Sequence, residues 1–397
     1  MATKLYFSRD TKVIAHIPQS AAGTKSMYYD LPVLDGFSFS QAMNTSEITL
    51  NEAQNTSGVS RRGRAMFNDS YAPVDWSFST YMMPFTSAGG VKGTSGKARG
   101  ISGGANQDGF HREVSEAMWA MFFGQTGNAG ITSDTSNLDI TQSTANKATI
   151  GVFDLFFIMG ASQAAAAYNY TTGAATANQM IYKIADCSVG EASFDFDLDG
   201  IATVNWSGNG KLISEESTLN LSSSDALIYE GISNTSGFIR NRVSDLTISG
   251  DPSGSSVTYA TTLTGGNITM SNNLTYLTPE TLGVVNQPLG HVTGSKSIGG
   301  NFTCYLDNAS STSRAEFYED LVEATSDIQN SFSLSFDIGA GAAPFCLITM
   351  PTCHLEVPTH SIDEVISLET NFHALPSDFD STDEISVFAF TGKDVNA

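Results

Sequence analysis

Two-residue alternation of apolar and polar side chains recurs from one end of this chain to the other, and it constrains the fold more than any other feature. Successive side chains on a strand point to opposite faces, so this period marks sheets with one dry and one wet face. Phe37-Ser38-Phe39-Ser40 reads as a strand, and Glu47-Ile48-Thr49-Leu50 follows it. Val74–Tyr81 alternates Val, Trp, Phe and Thr with polar partners, and Phe153–Met159 is an almost wholly apolar buried strand. Over Ala192–Gly200, Phe194, Phe196 and Leu198 face one way while Asp195, Asp197 and Asp199 face the other. Ile201–Trp206 continues the pattern, and later strands are expected at 246–249, 267–270, 301–305, 331–338, 346–350, 354–357 and 365–372.

Two segments break the rhythm. Arg112–Phe123 carries Val114, Met118, Met121 and Phe122 at helical spacing, with Trp119 beside them. Ser313–Ala324 carries Ala315, Phe317, Tyr318, Leu321 and Val322, and Ser313 with Glu316 forms a capping-box pattern. Each reads as a single amphipathic helix among strands. The order strand, loop, helix, strand, two-strand segment therefore occurs twice. Phe78-Ser79-Thr80-Tyr81 stands beside Phe302-Thr303-Cys304-Tyr305, and Phe157-Ile158-Met159-Gly160 beside Phe336-Asp337-Ile338-Gly339. The reading is a divergent duplication, with accidental similarity between β-rich halves as the alternative. It divides the chain into a domain at 1–210, a Ser/Asn/Gly-rich linker or crossover at 211–245 and a second domain at 246–397. The fold class expected is mainly β with minor α, each half with one packed helix.

Composition agrees. A chain of 397 residues suits two domains, and 41% hydrophobic residues suffice for a core. Only 15% are charged, against roughly 25% in an average soluble protein. The charge is one-sided, with 19 Lys plus Arg against 41 Asp plus Glu and a net of -22. Tight nucleic-acid binding needs cations that displace counterions from phosphates, so that class is disfavoured. Two readings of the acidity stay open: solubility alone, or a surface that touches DNA without holding it. Met1–Gln19 has no apolar signal region, and Ile150–Gly160 and Pro344–Met350 are too short to span a bilayer. No membrane anchor is expected. Cys187, Cys304, Cys346 and Cys353 form no CxxC and are expected reduced, in a cytoplasm.

Chemistry-bearing motifs are weak. Asp195-Phe-Asp197-Leu-Asp199-Gly200 opens like a calcium loop, but Trp206 stands at the twelfth position, where such a loop needs a bidentate Glu. Cys346, Cys353, His354 and His360 match no metal spacing. Nucleophile-elbow, zincin and phosphate-loop patterns do not occur. No catalytic residue, metal or cofactor is expected. Trp76, Trp119 and Trp206 could line a glycan site, but alternation favours core positions. Arg61-Arg62-Gly63-Arg64 is the one dense basic cluster in an acidic chain. It is either a solvated loop or a docking element that pairs with an acidic partner subunit.

The phrases Pro32–Gln41, Glu47–Glu52, Ser60–Arg64, Trp76–Thr80, Phe194–Lys211, Leu355–Ile362 and Ile366–Thr370 resemble the tail tube (major tail) proteins of long-tailed bacteriophages. The resemblance implies a β-sandwich or partial barrel in each half. Hairpins of neighbouring domains would join into an inner barrel, and stacked rings would form a hollow conduit for genome DNA in the virion. Rings would hold three chains if the duplication is real and six otherwise, with assembly in the host cytoplasm. DNA passes without tight binding, and tail sheath or other tail proteins are further partners. Under this resemblance Phe37, Phe39, Glu47, Ile48 and Leu50 belong to inner-barrel strands. Arg61, Arg62 and Arg64 belong to an inter-ring loop, and Asp195, Asp197 and Asp199 to a face exposed to DNA or another ring. Another virion protein (sheath, baseplate or decoration) is the first alternative, and a carbohydrate-binding sandwich the second.

Overall fold

The computed structural model describes residues 5–18, 27–49, 64–86, 111–124, 131–134, 136–142, 150–161, 179–197, 199–217, 219, 226–228, 237–250, 257–260, 263–282, 284–306, 332–339, 342–362 and 365–394. The architecture is mainly β and dominated by antiparallel pairing, with one α-helix among the described residues. The first half supplies β1 (Tyr6–Ile17), β2 (Met27–Leu31), β3 (Ser38–Thr49), β4 (Arg64–Tyr81), β5 (Pro84–Thr86), β6 (His111–Glu113), the helix α1 (Glu116–Phe122), β7 (Ile131–Ser133), β8 (Leu138–Ile140), β9 (Phe153–Ala161), β10 (Gln179–Phe196) and β11 (Thr203–Gly210). Then come β12 (Leu212–Glu216), β13 (Ala226–Ile228), β14 (Asp245–Gly250), β15 (Val257–Ala260), β16 (Leu263–Ser271), β17 (Leu274–Leu277), β18 (Gly290–Thr293) and β19 (Ser297–Tyr305). The chain closes with β20 (Phe332–Ile338), β21 (Phe345–Leu355), β22 (Thr359–Ile362), β23 (Ile366–Ala374), β24 (Val387–Thr391) and β25 (Lys393–Asp394).

Hydrogen-bonded order in the first half runs β2-β1-β9-β10-β11-β4-β3. In the second half it runs β15-β14-β20-β21-β23-β19-β16. Taken in chain order, the two runs pair their strands identically. In addition, β12 lies on β10 as β24 lies on β21. The runs meet at β10, whose Gln179–Ile184 stretch pairs with β9 and whose Glu191–Phe196 stretch pairs with β16. Between these stretches the register shifts and Asp186 takes φ 52, which turns the strand from one sheet into the other. Within 211–245, β12 pairs with β10 and β13 runs parallel to β2, so these parts fold back on the first half.

Two expected pairs of short strands prove to be single long ones. β3 keeps its ladder with β4 from Ser38↔Ser77 to Thr49↔Arg64, through register shifts at Gln41/Met43 and Asn44/Thr45. Each bulge swaps the faces of the residues beyond it, which erases the two-residue period and hides the continuity. The expected strand at 346–350 likewise runs on through His354 and Leu355 as one strand, β21, while Glu356 and Val357 of the strand expected at 354–357 fall past its end.

One core serves both runs. Every residue of α1 is buried, and Trp119 at its centre sits 4.5 Å from Trp206, 4.7 Å from Phe388 and 6.4 Å from Phe194 between ring centroids. The Trp206 indole donates to Thr80 Oγ1 at 3.0 Å. A side chain at Gly208 would meet the Ser188 carbonyl at 2.1 Å and the Trp76 ring at 2.5 Å, so glycine lets that indole lie against β11. The helix expected at 313–324 lies outside the described residues.

The start of α1 carries buried charge. The Glu113 carboxylate accepts from the Ser115 amide at 2.7 Å and the Ser115 hydroxyl at 2.8 Å. Burial pushes its pKa up to about 8, against the Ser115 and Met83 donors that favour the ionised form. A raised folded-state pKa gives stability that is full below 4.5 and lost as pH rises through about 8. Glu113→Gln is therefore expected to flatten this decline, which amounts to at most about 4–5 kcal/mol. Urea midpoints between pH 5 and 8 check it, and equal pH slopes for both proteins would count against it.

Candidate functional site

Residues directly opposite each other on antiparallel strands share a face. One row therefore crosses the sheet as Ser38, Ser77, Ser207, Glu191, Ser271 and Ser297. A second runs Ser79, Asn205, Ser193, Thr269, Gly299 and His373, and a third runs Asp195, Asn267, Asn301 and Asn371. The opposite face holds Trp76, Phe78, Trp206, Phe194, Ile268 and Phe302, all buried. The wet face thus passes without a break from the first run into the second.

This face is polar, acidic and free of Lys and Arg. Its strand segments 38–41, 74–81, 188–196, 203–210, 263–271, 297–305 and 366–374 contain neither residue type. Asp75, Glu191, Asp195 and Glu369 supply negative charge and are exposed. Small polar side chains bond sideways: Ser38 Oγ to Ser77 Oγ at 2.8 Å, Ser79 Oγ to Asn205 Oδ1 at 2.7 Å, and Asn209 Nδ2 to Asp75 Oδ1 at 2.6 Å. The β1/β9 sheet differs, because its charges are paired: Lys12 with Asp30 at 3.0 Å, and both Lys183 (2.9 Å) and His16 (3.2 Å) with Asp154. Burial opposes the charge on Asp154, but His16, Lys183 and the Asp186 amide together hold its pKa below the usual carboxylate value.

The structure distributes the residues singled out in the sequence. β10 ends at Phe196, so Asp195 alone of the three aspartates projects from the strand. The expected strand through Gly200 gives way to a turn, in which Asp197 O accepts from the Gly200 amide at 3.5 Å. Asp199 there meets Arg242 at 3.3 Å, an exposed pair. Phe37 and Phe39 are half-buried and lie 5.7 and 4.5 Å from the Phe157 ring, which leaves Ser38 and Ser40 on the wet face. Glu47 and Ile48 are exposed on the projecting end of the β3–β4 hairpin, where Ala42–Ile48 and Arg64–Asp69 are all exposed. Arg64 clasps Glu47 with two guanidinium nitrogens, one at 2.7 Å from Oε2, and this bond holds the Glu47 pKa down. Two residues named for different roles are thus partners across one hairpin. Leu50, Arg61 and Arg62 lie outside the described residues.

Asp75, Glu191 and Glu369 escaped the sequence reading. Asp75 alternates with Val74 and Trp76, so period-2 counting had the signal for it. Placing all four acids together needed the pairing of β10 with β16. Trp76, Trp119 and Trp206 are 2%, 0% and 1% exposed, so they cannot line a glycan site. All four cysteines are buried thiols, and burial raises the Cys353 thiol to about 12. Among the described residues no group of three His, Cys, Asp or Glu is placed to hold a metal, and no helix is long and apolar enough to cross a membrane.

Residues 33–374 match the family described as phage tail tube protein. Over 390 residues the chain is 27% identical to the tail tube protein pb6 of Escherichia phage T5, an alignment covering 96% of this chain and 75% of that one. The family match begins just ahead of β3 and ends with β23, so it takes in the whole lysine-free face. The chain belongs to the phage tail tube protein family and is a structural, non-catalytic subunit of a phage tail.

Proposed function

We propose that this subunit polymerises into stacked rings whose bore is lined by the lysine- and arginine-free face, and that genome DNA slides along it. The observation that carries this reading is the continuity of the face across both runs, with Asp75, Glu191, Asp195 and Glu369 and no Lys or Arg. Binding of duplex DNA gains its affinity from cations that displace counterions, so such a wall gives phosphates nothing to hold. Its serine and asparagine side chains bond to one another and to water, and its carboxylates repel phosphate within about one Debye length, ~10 Å at 0.1 M salt.

The repeated strand order supports two tube-like units, at 1–210 and 246–397, and hence three chains in a ring of six units. Assembly in the host cytoplasm suits four reduced, buried thiols. Arg61 and Arg62 are proposed as docking residues between rings, Arg64 being held by Glu47.

Electron microscopy of the purified protein tests the proposal, with hollow tubes expected and three chains in each ring. Glu191→Lys/Asp195→Lys tubes should retain short duplex DNA at low salt and release it as salt rises, while native tubes retain none. Arg61→Ser/Arg62→Ser should give shorter tubes from a folded monomer. Solid or non-polymeric particles would favour a sheath, baseplate or decoration role, and equal DNA retention by native and lysine tubes would sink the bore assignment.

A further inference from the structure

We infer that the β17–β18 hairpin of the second run is a strut that fixes the direction of the projecting β3–β4 hairpin of the first run and so readies it for assembly. The assembly part rests on the ring reading above, since the proposed docking residues Arg61 and Arg62 lie in the chain between β3 and β4. The strut itself belongs to the single chain.

The β3–β4 hairpin leaves the sheet at Val74, where the pairing of β4 with β11 ends. Beyond that point its ladder is irregular twice, first between Gln41↔Val74 and Met43↔Tyr71, then between Asn44↔Ser70 and Thr45↔Asn68. Each irregularity places one extra residue on β4, and in the second that residue is Asp69. A bulge frees main-chain groups from the ladder and bends the strand, so these two points set where the hairpin aims.

The first bulge is held from within its own run. Gln41 Nε2 donates to Ala72 O at 2.9 Å and to Lys211 O at 3.2 Å, while its Oε1 accepts from the Ile213 amide at 3.2 Å. The second bulge is held from the other run. The Asn286 amide donates to Asp69 O at 3.1 Å, and the Asn286 carbonyl accepts from the Tyr71 amide at 2.8 Å. The Asn286 side chain prepares that contact. Its Oδ1 accepts from the Thr281 amide at 3.0 Å and its Nδ2 donates to Thr281 O at 3.3 Å, which closes the 281–286 turn and presents the main chain of Asn286 to β4.

The far end of the strut is anchored on the body. Among the described residues β17 and β18 form a sheet of their own, and a lone two-stranded hairpin is marginal without further support. Buried Asn272 at its root donates to Phe122 O at 3.0 Å, at the end of α1, and to Val189 O of β10 at 3.1 Å. Farther along, the Tyr276 hydroxyl lies 2.8 Å from Asp186 O and 3.1 Å from Asn209 O, where β10 bends. Burial pushes the Tyr276 pKa up, so the hydroxyl keeps the proton it donates. Polar contacts therefore run from the helix shared by both runs to the bulge at Asp69. A docking element held in place beforehand loses less freedom on association.

Hydrogen exchange of the unassembled subunit tests the strut. Asn286→Ala opens the 281–286 turn and Tyr276→Phe removes the anchor on β10; both residues are half-buried and outside the core, so both variants are expected to fold. In each, the Tyr71 amide and the 64–70 segment should exchange at least about tenfold faster than in the native chain, with Val74–Tyr81 unchanged. Both variants should also need a higher protein concentration to grow tubes. Equal exchange at Tyr71 in all three proteins would overturn the strut and leave the ring reading standing wherever native tubes form. Faster exchange with unaltered tube growth would overturn the role in assembly. A native chain that forms no tubes would remove the ring reading and that role together, and the exchange result would then decide the strut by itself.

Discussion

Trp119→Ala is expected to cost the folded chain about 3–5 kcal/mol, the range for truncating a large buried aromatic side chain. Trp119 is fully buried at the centre of α1 and touches Trp206 and Phe194 of the first run and Phe388 of β24. Its removal opens a cavity that strands from both halves would have to fill, and strands locked in ladders relax little. Trp119→Phe should retain most of the stability, since the indole N–H finds no hydrogen-bond partner among the described residues. Urea unfolding of the unassembled subunit measures both variants. An alanine variant within about 1 kcal/mol of the native chain would mean that the helix does not tie the runs together.

Arg112→Met should be nearly as damaging, for an electrostatic reason. Arg112 Nη1 lies 3.1 Å from Glu116 Oε1, with the two side chains 7% and 2% exposed. Burial already raises the Glu116 pKa, and Arg112 is the main influence holding it back. Without the guanidinium the carboxylate must either stay charged in the core or take up a proton, a loss of about 3–5 kcal/mol. The double variant Arg112→Met/Glu116→Leu removes both charges and should recover most of that loss. If the double variant is as unstable as Arg112→Met alone, the cost lies in packing of the arginine stem and not in the stranded charge. Neither change touches the wet face, so both separate the stability of the subunit from its behaviour as a tube wall.

Alternation located most strands because it reports directly on which side chains are dry. Trp76 and Trp206 were readable as core from their neighbours, and both are buried. The reading failed where the period itself is interrupted. The bulges of β3 hid one strand inside two, and the apparent continuation of β10 to Gly200 was a turn whose residues happen to alternate. The clasp of Arg64 on Glu47 was invisible for another reason: which residues face each other across a hairpin depends on every bulge before them.

What the sequence determined by itself is the two-faced, β-rich character of the chain, its excess of acid and its lack of catalytic motifs. These follow from local period and composition, which need no knowledge of partners. Only the tertiary structure decided that β10 turns at Asp186 from one sheet into the next and receives β16 there. That single pairing sets Glu191 and Asp195 of one run beside Asn267 and Ser271 of the other and makes one wet face out of two. Strand partners are chosen by long-range complementarity of edges and buried faces, a choice that local alternation does not encode.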